Sequence, residues 1–536
     1  MNRSLTVVIT LLFSFTVGQT TLPKSFLARA EEDTTLPWLQ SNIVVEIRAQ
    51  GDSLIWLGTG KGLSVQKDSL ISKNSTRTFQ TSKNITAGET GQVLPEGGIS
   101  AVGVAGKDTL LVSVATTIDE EIAGGGLALS INSRDPTTAT WSYFDQPKDS
   151  SGDSTLSWGG VTLSALPVTV PQNNVTYDIA IGKRYYWTAS WAGGLRRLNK
   201  SNVLNGWKRV PLPDDNRTDF LCGQQYDGYQ LNPRDPPQGN HNHKAFSVMT
   251  YGDTVWVGTA NGINRGILDD SGCLDWKHYS FPISSMSGNW VIAIEKQEWK
   301  GRRTIWAVTR AADQAGEENG ISFTQNDGET WQTVALLKGE YGYNIFAVDS
   351  LVYIATRSGL WRTQDGQSFA LYRPAMDEYN DQIIDNDVYA VLHDTRESNV
   401  EDEALWIGTG DGLARTYTPN SNTSNWKIYR SDVSPKSGTY AYAYPNPFSP
   451  TFHNRLDGDG YVRFKISKWK GTDITLIILN FAMEEVRTIN YTRNEGKGAL
   501  KWDGRDESGT LVANGIYFCN LYYDNAPHWV KLVVVK

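Results

Sequence analysis

Histidines and carboxylates at close spacing are the residues of this chain that could do chemistry. His241 and His243 lie two positions apart and could face one metal ion from an extended strand, but no third ligand is anchored beside them. Asp457-Gly458-Asp459-Gly460 resembles the start of a calcium loop that lacks its remaining ligands. A hairpin turn is therefore favoured there, with calcium near Asp457 and Asp459 as the lesser alternative. The sequence predicts no metal and no cofactor.

Hydrolysis by two carboxylates would need a pair of acids aimed into one pocket. The acidic runs Asp119-Glu120-Glu121 and Glu317-Glu318 fall in polar inserts, where we expect them to be solvated. No glycine loop that could hold a phosphate precedes a helix. These patterns favour a protein that is not an enzyme, and a glycoside hydrolase or lyase is the alternative.

A long loop between residues 211 and 244 has the composition of a contact surface. Aromatic residues and arginines on a loop are typical of surfaces that bind proteins or glycans. The candidate binding residues are Arg217, Phe220, Tyr226, Tyr229, Arg234, His241 and His243. The alternative is that this loop simply covers a central channel of the fold.

The element that must position these residues is a repeat of strand, glycine turn and strand. Clear copies are Ile55–Leu63, Val255–Ile263, Val352–Leu360 and Leu405–Leu413, and looser copies begin at Leu111, Tyr186 and Ile305. Each copy is preceded by an apolar strand and followed by a strand that an aromatic residue opens. Four elements in one order, seven times, predict an all-β fold that begins with a seven-bladed β-propeller over residues 31–430.

Loop lengths indicate which face of the propeller is functional. Loops after the second and fourth strands of a blade emerge on one face of the disc, called here the long-loop face. The long loops on that face are 80–98, 145–175, 211–244 and 373–387. Insertions concentrated on one face often mark where a partner binds. Tolerated decoration is the alternative, because long surface loops cost little.

The Trp-x-Gly-Thr-x-x-Gly-Leu repeats resemble the propeller repeats of bacterial two-component sensor domains and of Bacteroidetes-type surface proteins. One blade also carries Thr324-Gln325-Asn326-Asp327-Gly328-Glu329-Thr330-Trp331, which matches the Asp box of sialidase-like propellers. In those families the Asp box stabilises a hairpin away from the active site, so the resemblance implies a structural role.

The last hundred residues change character after a polar linker at 431–439. The segment 440–536 resembles the immunoglobulin-like C-terminal sorting domain of type IX secretion cargo, which is similar to the flagellar hook-cap immunoglobulin-like domain. Met483 replaces the turn glycine usual in that family. An ordinary adhesive or stalk module is the alternative. The residues that carry the resemblance, and so the sorting or attachment role, are Tyr444, Pro445, Asn446, Pro447, Phe448, Trp502, Asp503, Gly504, Gly515, Tyr517, Lys531 and Lys536.

Export is predicted by the first thirty residues. Arg3 precedes an apolar stretch from Leu5 to Val17 that is too short to span a bilayer and fits a signal peptide, cleaved after Gly18 or Ala30. No later segment is long and apolar enough to be transmembrane. We therefore expect a secreted protein, extracellular or on the outer surface of a Gram-negative-type bacterium.

Charge and cysteine content narrow the partners. With 50 basic and 58 acidic residues the net charge is −8, which argues against a nucleic-acid partner. Only three cysteines are present, and Cys222 and Cys273 are more simply interpreted as unpaired thiols than as a disulfide. The expected partners are the secretion or surface-attachment machinery and a protein or glycan ligand. A subunit of an extracellular assembly, with self-association, is an alternative function.

Overall fold

Strands dominate the chain from Leu39 onward. The computed structural model describes residues 39–67, 76–364, 366–372, 383–396, 403–417, 419, 426–431, 441–453, 459–466, 473–492, 500–523 and 525–536. The predicted signal peptide lies outside the described residues. Three short 3-10 turns interrupt the strands, at Val203–Asn205, His241–His243 and Ala335–Leu337. No helix in this part of the chain is long and apolar enough to cross a membrane.

The described residues up to Tyr429 contain seven antiparallel sheets built on four consecutive strands each, and these are numbered blades 1 to 7 along the chain. The first strands are Val44–Gln50, Gly98–Ala105, Thr176–Ile181, Ala245–Tyr251, Trp290–Trp299, Gly342–Val348 and Val388–Asp394. The second strands are Leu54–Thr59, Thr109–Ile118, Tyr185–Ser190, Thr254–Thr259, Arg302–Arg310, Leu351–Thr356 and Ala404–Thr409. The third strands are Gly62–Lys67, Glu121–Ser130, Gly194–Asn199, Gly262–Leu268, Gly320–Thr324, Gly359–Thr363 and Gly412–Thr416. The fourth strands are Thr76–Thr78, Trp141–Phe144, Lys208–Arg209, Leu274–Tyr279, Gln332–Thr333, Phe369–Tyr372 and Lys427–Tyr429.

The blades form a closed ring. Each first strand contacts the first strand of the next blade, and that of blade 7 contacts that of blade 1. The segment before blade 1 joins the two ends of the ring, and the junction of blades 7 and 1 is called the seam. Asn42 of this segment accepts hydrogen bonds from the backbone N–H groups of Gly412 and Ser431, both at 2.7 Å. The all-β propeller predicted from the repeats is confirmed.

The Gly-Thr-x-x-Gly part of the repeat, in which blade 6 has Ala355 in place of the first glycine, makes a self-bonded hairpin. The threonine hydroxyl donates to the carbonyl oxygen of the second glycine, at 2.8 to 3.0 Å, and accepts the N–H two residues on. The four pairs are Thr59 with Gly62, Thr259 with Gly262, Thr356 with Gly359, and Thr409 with Gly412. The first glycine serves packing between blades: a Cβ on Gly408 would lie 2.5 Å from the Val44 carbonyl oxygen of blade 1. The motif therefore encodes both the turn and the approach of the next blade.

Aromatic residues at the fourth strands fill the space between blades. Phe79 lies 5.9 Å from Trp56 of its own blade and 5.4 Å from Trp141 of the next, measured between ring centroids. Trp256 and Trp331 repeat the arrangement between blades 4 and 5, at 6.2 Å. The core therefore runs around the ring between neighbouring sheets, where large flat side chains bury the most apolar surface.

The turn at Thr324 to Trp331 bonds to itself. Thr324 Oγ1 accepts from the N–H groups of Asn326 and Gly328, and Asn326 Oδ1 accepts from the Thr330 N–H. The turn joins the third and fourth strands of blade 5, away from the channel. The side chains of Thr324 and Asn326 therefore stabilise the backbone of their own turn.

Three inserts on the long-loop face, 80–98, 145–175 and 211–244, add strands to the blades or beside them. Thr90–Gly91 pairs with the outer strand of blade 2, and Asp219–Phe220 pairs with the outer strand of blade 4. A small separate sheet contains Thr155–Trp158, Val161–Ala165 and Gln230–Leu231. The inserts therefore build a rim on the blades.

Cys222 and Cys273 form a disulfide, so the expectation of unpaired thiols was wrong. Asp219–Phe220 pairs with Leu274–Tyr279, and this pairing brings the two cysteines, 51 residues apart, to a Cα–Cα distance of 5.8 Å. Spacing along the chain does not reveal a contact that a loop makes by joining a strand. Cys519 is buried and free.

The C-terminal domain is a two-sheet sandwich of the immunoglobulin-like type. One sheet contains Ala441–Tyr444, Val462–Ile466 and Lys501–Trp502, and the other contains Asp473–Leu479, Glu485–Thr492, Gly515–Tyr523 and Ala526–Val534. It has its own apolar core, in which Phe448, Trp502 and Tyr517 pack together.

The motif residues of this domain hold its strands in place. Asn446 bonds the last strand twice, donating to the Lys531 carbonyl oxygen and accepting the Val533 N–H. Phe448 pairs beside the same strand through backbone bonds to Val533 and Val535. Of the proposed calcium residues, Asp457 lies outside the described residues, and Asp459 accepts a 2.7 Å bond from Arg505.

Candidate functional site at the mouth of the central channel

The seven first strands line a central channel, and each carries a β-bulge near its start. The extra residues of the bulges form one layer around the channel, called the collar. They are Val45, Ser100, Tyr177, Phe246, Ile292, Tyr343 and Tyr389. Bulges re-aim side chains, and here they place aromatic rings where the channel approaches the long-loop face.

Two tryptophans extend the collar outward at blades 3 to 5. Trp191, in the turn after a second strand, lies 5.2 Å from Phe246 and 5.7 Å from Trp290, and the Phe246 and Trp290 rings are also 5.7 Å apart. Trp290 opens the first strand of blade 5 and is partly exposed. Lys244 lies 4.5 Å above the Trp191 ring while it pairs with Asp235. The result is an aromatic platform with a cation beside it.

Tyrosines and arginines complete the mouth at blades 5 to 7. Tyr343 lies between Tyr341 and Tyr389, at 5.4 and 5.0 Å, and donates to Asp387 at 3.2 Å. The guanidinium groups of Arg310 and Arg357 lie 3.9 and 4.1 Å from the Tyr341 ring. The mouth ring is defined as Trp191, Phe246, Trp290, Tyr341, Tyr343 and Tyr389, with Arg310 and Arg357.

Below the mouth ring the channel is a cavity of about 340 Å³ with charged walls. Arg48 Nη2 lies 2.9 Å from Glu46 Oε2, both on the first strand of blade 1. Burial raises the pKa of Glu46 to about 7, against the opposing effect of Arg48. Burial likewise raises the pKa of Glu295, on blade 5, to about 8. Burial therefore shifts both carboxyl groups toward the protonated form.

Asp178 of blade 3 is the third acid of the channel, and it is bound to the backbone. Its two oxygens accept the N–H groups of Ile179 and Val248, each at 2.8 Å, which bridges blades 3 and 4. Burial raises its pKa as well. Asp178 therefore has a bridging role, whereas Glu46 and Glu295 are the groups with the chemistry of proton donors.

Four of the predicted binding residues are buried inside the rim. Phe220 stacks on Tyr226 and Tyr229, with centroid distances of 4.7 and 4.8 Å, and the Tyr229 hydroxyl donates to the Leu212 carbonyl oxygen. His243 is also buried, accepts the Asn232 N–H, and has its pKa lowered by burial. Apolar rings on this loop pack inward because the loop joins blade 4 as an extra strand. These four side chains are not presented to a partner.

The other three predicted residues reach the surface. Arg217 pairs with Asp214 at 3.1 Å and lies over Tyr226, and Arg234 is exposed. His241 lies 3.3 Å from Asp235 and 3.7 Å from Asp313. It points away from His243, so the pair does not share one ion, and no group of three potential metal ligands occurs among the described residues.

Sequence reasoning missed the mouth ring and the channel acids. A signal existed for the acids, because Glu46, Arg48, Asp178 and Glu295 are charged residues within or next to the apolar strands that precede the repeats. Trp191 and Trp290 lie 99 positions apart, and only closure of the ring brings them together.

The fold defines the class of this protein as a β-propeller joined to an immunoglobulin-like domain. Residues 451–526 match the FlgD Ig-like domain family. No curated protein matches the chain.

Several solved structures match the chain at low identity. The extracellular domain of a putative one-component system from B. thetaiotaomicron is 12% identical, with a TM-score of 0.42, and the match covers 96% of this chain and 59% of that one. PorZ, a surface component of the type-IX secretion system of Porphyromonas gingivalis, is 12% identical, with a TM-score of 0.30 and coverages of 92% and 81%. An ancestral GH74 enzyme is 12% identical, with a TM-score of 0.48 and coverages of 93% and 63%.

Proposed function

We propose that this chain is a secreted or cell-surface protein whose propeller binds a protein or glycan partner at the long-loop face. The observation that carries the proposal is the mouth ring, where partly exposed Trp290, Tyr341 and Tyr343 stand beside the exposed Arg357. Aromatic rings and arginines clustered at one place are the residues that dominate binding energy at interfaces. Sugars stack on such rings through their apolar faces, and peptides anchor on them equally well.

The first strand of blade 5 supplies a matched pair of variants to test the site. Trp290 opens this strand at the mouth ring, and Trp299 ends it, exposed, on the opposite face. We expect Trp290→Ala to weaken binding of the full chain to a glycan array, or to intact cells of the producing organism, by about tenfold to a hundredfold. Trp299→Ala should bind like the wild type. Equal binding by all three proteins would refute the site.

The C-terminal domain is proposed to direct export or attachment to the surface. The support is the family match at 451–526, together with the Asn446 and Phe448 contacts that hold its motif against the last strand. A chain that lacks residues 440–536 should be produced but should not reach the cell surface, as measured by surface labelling. Normal delivery of the shortened chain would contradict the role.

A glycoside hydrolase is the second candidate, and the channel acids favour it. Burial raises the pKa of Glu46 and of Glu295, which favours the protonated state that a general acid needs. If the channel is an active site, the protein will cleave the glycans that it binds on the array. Glu46→Gln or Glu295→Gln will then abolish cleavage without weakening binding. Binding without cleavage by the wild type favours the non-enzymatic function.

A further inference from the structure

A buried carboxylate in blade 7 is shared by the two domains. Asp411 lies in the turn between Ala404–Thr409 and Gly412–Thr416 and has no exposed surface. Its Oδ2 accepts the Ile384 N–H at 2.8 Å and a bond from Arg430 Nη2 at 3.0 Å. The corresponding position of the same hairpin is Lys61 in blade 1, Asn261 in blade 4 and Ser358 in blade 6. Among these four hairpins, only that of blade 7 carries an acid.

The C-terminal domain supplies the second arginine. Arg463, on the strand Val462–Ile466, places Nη2 2.7 Å from Asp411 Oδ2 and is only 5% exposed. Burial alone would raise the pKa of Asp411, but Arg430 and Arg463 lower it to about 2. Arginines are rarely buried this deeply without a charged partner. Arg463 finds that partner in the propeller.

The contact between Asp411 and Arg463 lies where blade 7 meets blade 1 and the ring closes. Gly412, next to Asp411, donates its N–H to the Asn42 carbonyl oxygen, and Ser431, next to Arg430, donates to the Asn42 side chain. The turn after a second strand opens on the long-loop face. The C-terminal domain therefore meets that face where blade 7 joins the segment that precedes blade 1.

We infer that the C-terminal domain is a docked part of the working protein, with Asp411 as its receptor on the propeller. Its occupant is this chain's own domain, which stands at the blade 7 turn and leaves the mouth-ring residues of blades 3 to 6, all except Tyr389 of blade 7, for a partner. A buried ion pair between domains contributes more to a fixed arrangement than to net stability, because desolvation offsets much of its Coulomb energy. The inference does not depend on what the mouth ring binds.

The test uses the full chain with a specific protease site placed within residues 432–440. After cleavage, we expect the propeller and the C-terminal domain to elute together from a sizing column. Arg463→Met should weaken their association at least tenfold. The control is Arg505→Met, which removes a 2.7 Å pair with Asp459 inside the C-terminal domain and should leave co-elution unchanged.

Two further arms keep the test decisive if Arg463→Met does not fold. The cleaved wild type needs no substitution, and separation of its fragments would overturn the inference. Asp411→Asn alters only the propeller side and should also release the domain. The uncut chain could also form a dimer in which the C-terminal domain of one copy binds the propeller of the other copy. Contact between differently labelled copies would reveal this exchange and would overturn docking within one chain.

Discussion

Arg48 Nη2 and Glu46 Oε2 lie 2.9 Å apart inside the channel, two positions along one strand. Residues at that spacing point to the same side of a strand, so blade 1 supplies both the cation and one acid. Asp178 and Glu295 come from blades 3 and 5 and face the same guanidinium electrostatically. Arg48 therefore faces three acids, and burial shifts Glu46 and Glu295 toward the protonated form.

Replacing Arg48 by methionine should destabilise the propeller in a pH-dependent way. At pH 8 the acids of the wild type are more ionised and attract the Arg48 cation, so its removal should cost about 3 kcal/mol in the free energy of unfolding. At pH 5 the loss should be smaller, because Glu46 and Glu295 are protonated. Urea unfolding at both pH values measures it. Arg303→Met, which breaks an exposed pair with Glu298, should cost less than about 1 kcal/mol. Equal losses for Arg48→Met at both pH values would mean that Arg48 only packs.

Glu295→Gln should remove part of the pH dependence of stability. The ordinary pKa of 4.5 is raised to about 8 in the folded state, so the folded chain holds a proton that the unfolded chain releases. This contribution is fully present below pH 4.5 and is lost as pH rises through about 8. The free energy of unfolding of the variant, relative to that of the wild type, should therefore rise between pH 5 and 8. The expected rise is on the order of 2 kcal/mol after allowance for solvent screening. Parallel melting curves across this range would contradict the raised pKa.

Gly408→Ala should weaken ring closure. The added Cβ would meet the Val44 carbonyl oxygen at 2.5 Å, so blades 7 and 1 must separate slightly. We expect a loss of about 1–3 kcal/mol, measured by thermal or urea unfolding. Gly152→Ala is the matched control, because no atom lies within 4 Å of its Cβ position. If Gly408→Ala is as stable as the control, blades 7 and 1 can move apart without a loss in the free energy of unfolding.

The propeller could be predicted because its information is local. Each Gly-Thr-x-x-Gly hairpin makes its own hydrogen bonds, as Thr409 does with Gly412, so the motif can be recognised from the local sequence alone. The fold of the C-terminal domain could be predicted for the same reason, since its motif Tyr444-Pro445-Asn446-Pro447-Phe448 is one contiguous run. Its role in export stays a prediction.

The site could not be predicted because it depends on closure and on where loops pack. Trp191 and Trp290 meet only when blades 3 to 5 assemble, and Glu295 approaches Arg48 only across the ring. Aromatic residues of the 211–244 loop were predicted to face a partner. Phe220 instead is buried, because its segment adds a strand to blade 4.

Removing the Cys222–Cys273 disulfide should loosen the rim of blade 4. Linking residues 51 positions apart restricts the unfolded chain, and the double serine variant should lose about 2–4 kcal/mol. Hydrogen exchange should rise in Asp219–Phe220 and its partner strand and stay unchanged in blade 1. A reducing agent should destabilise the wild type but leave the double variant unchanged. If reduction affects both proteins alike, the disulfide is not the cause.

Met483→Gly should stabilise the C-terminal domain, because Met483 occupies a turn position with a positive φ, which glycine adopts more readily. Its φ is +63°, and its N–H donates to the Asn480 carbonyl oxygen, so the turn keeps a left-handed residue despite the side chain. A Cβ in that conformation costs about 1–2 kcal/mol, part of which is offset by the greater freedom of glycine in the unfolded chain. We expect a net gain of about 0.5–1 kcal/mol, seen as a higher melting temperature for this domain. Met483→Ala keeps the Cβ and should give no gain; if alanine and glycine stabilise equally, relief comes from removing the exposed thioether rather than from the backbone.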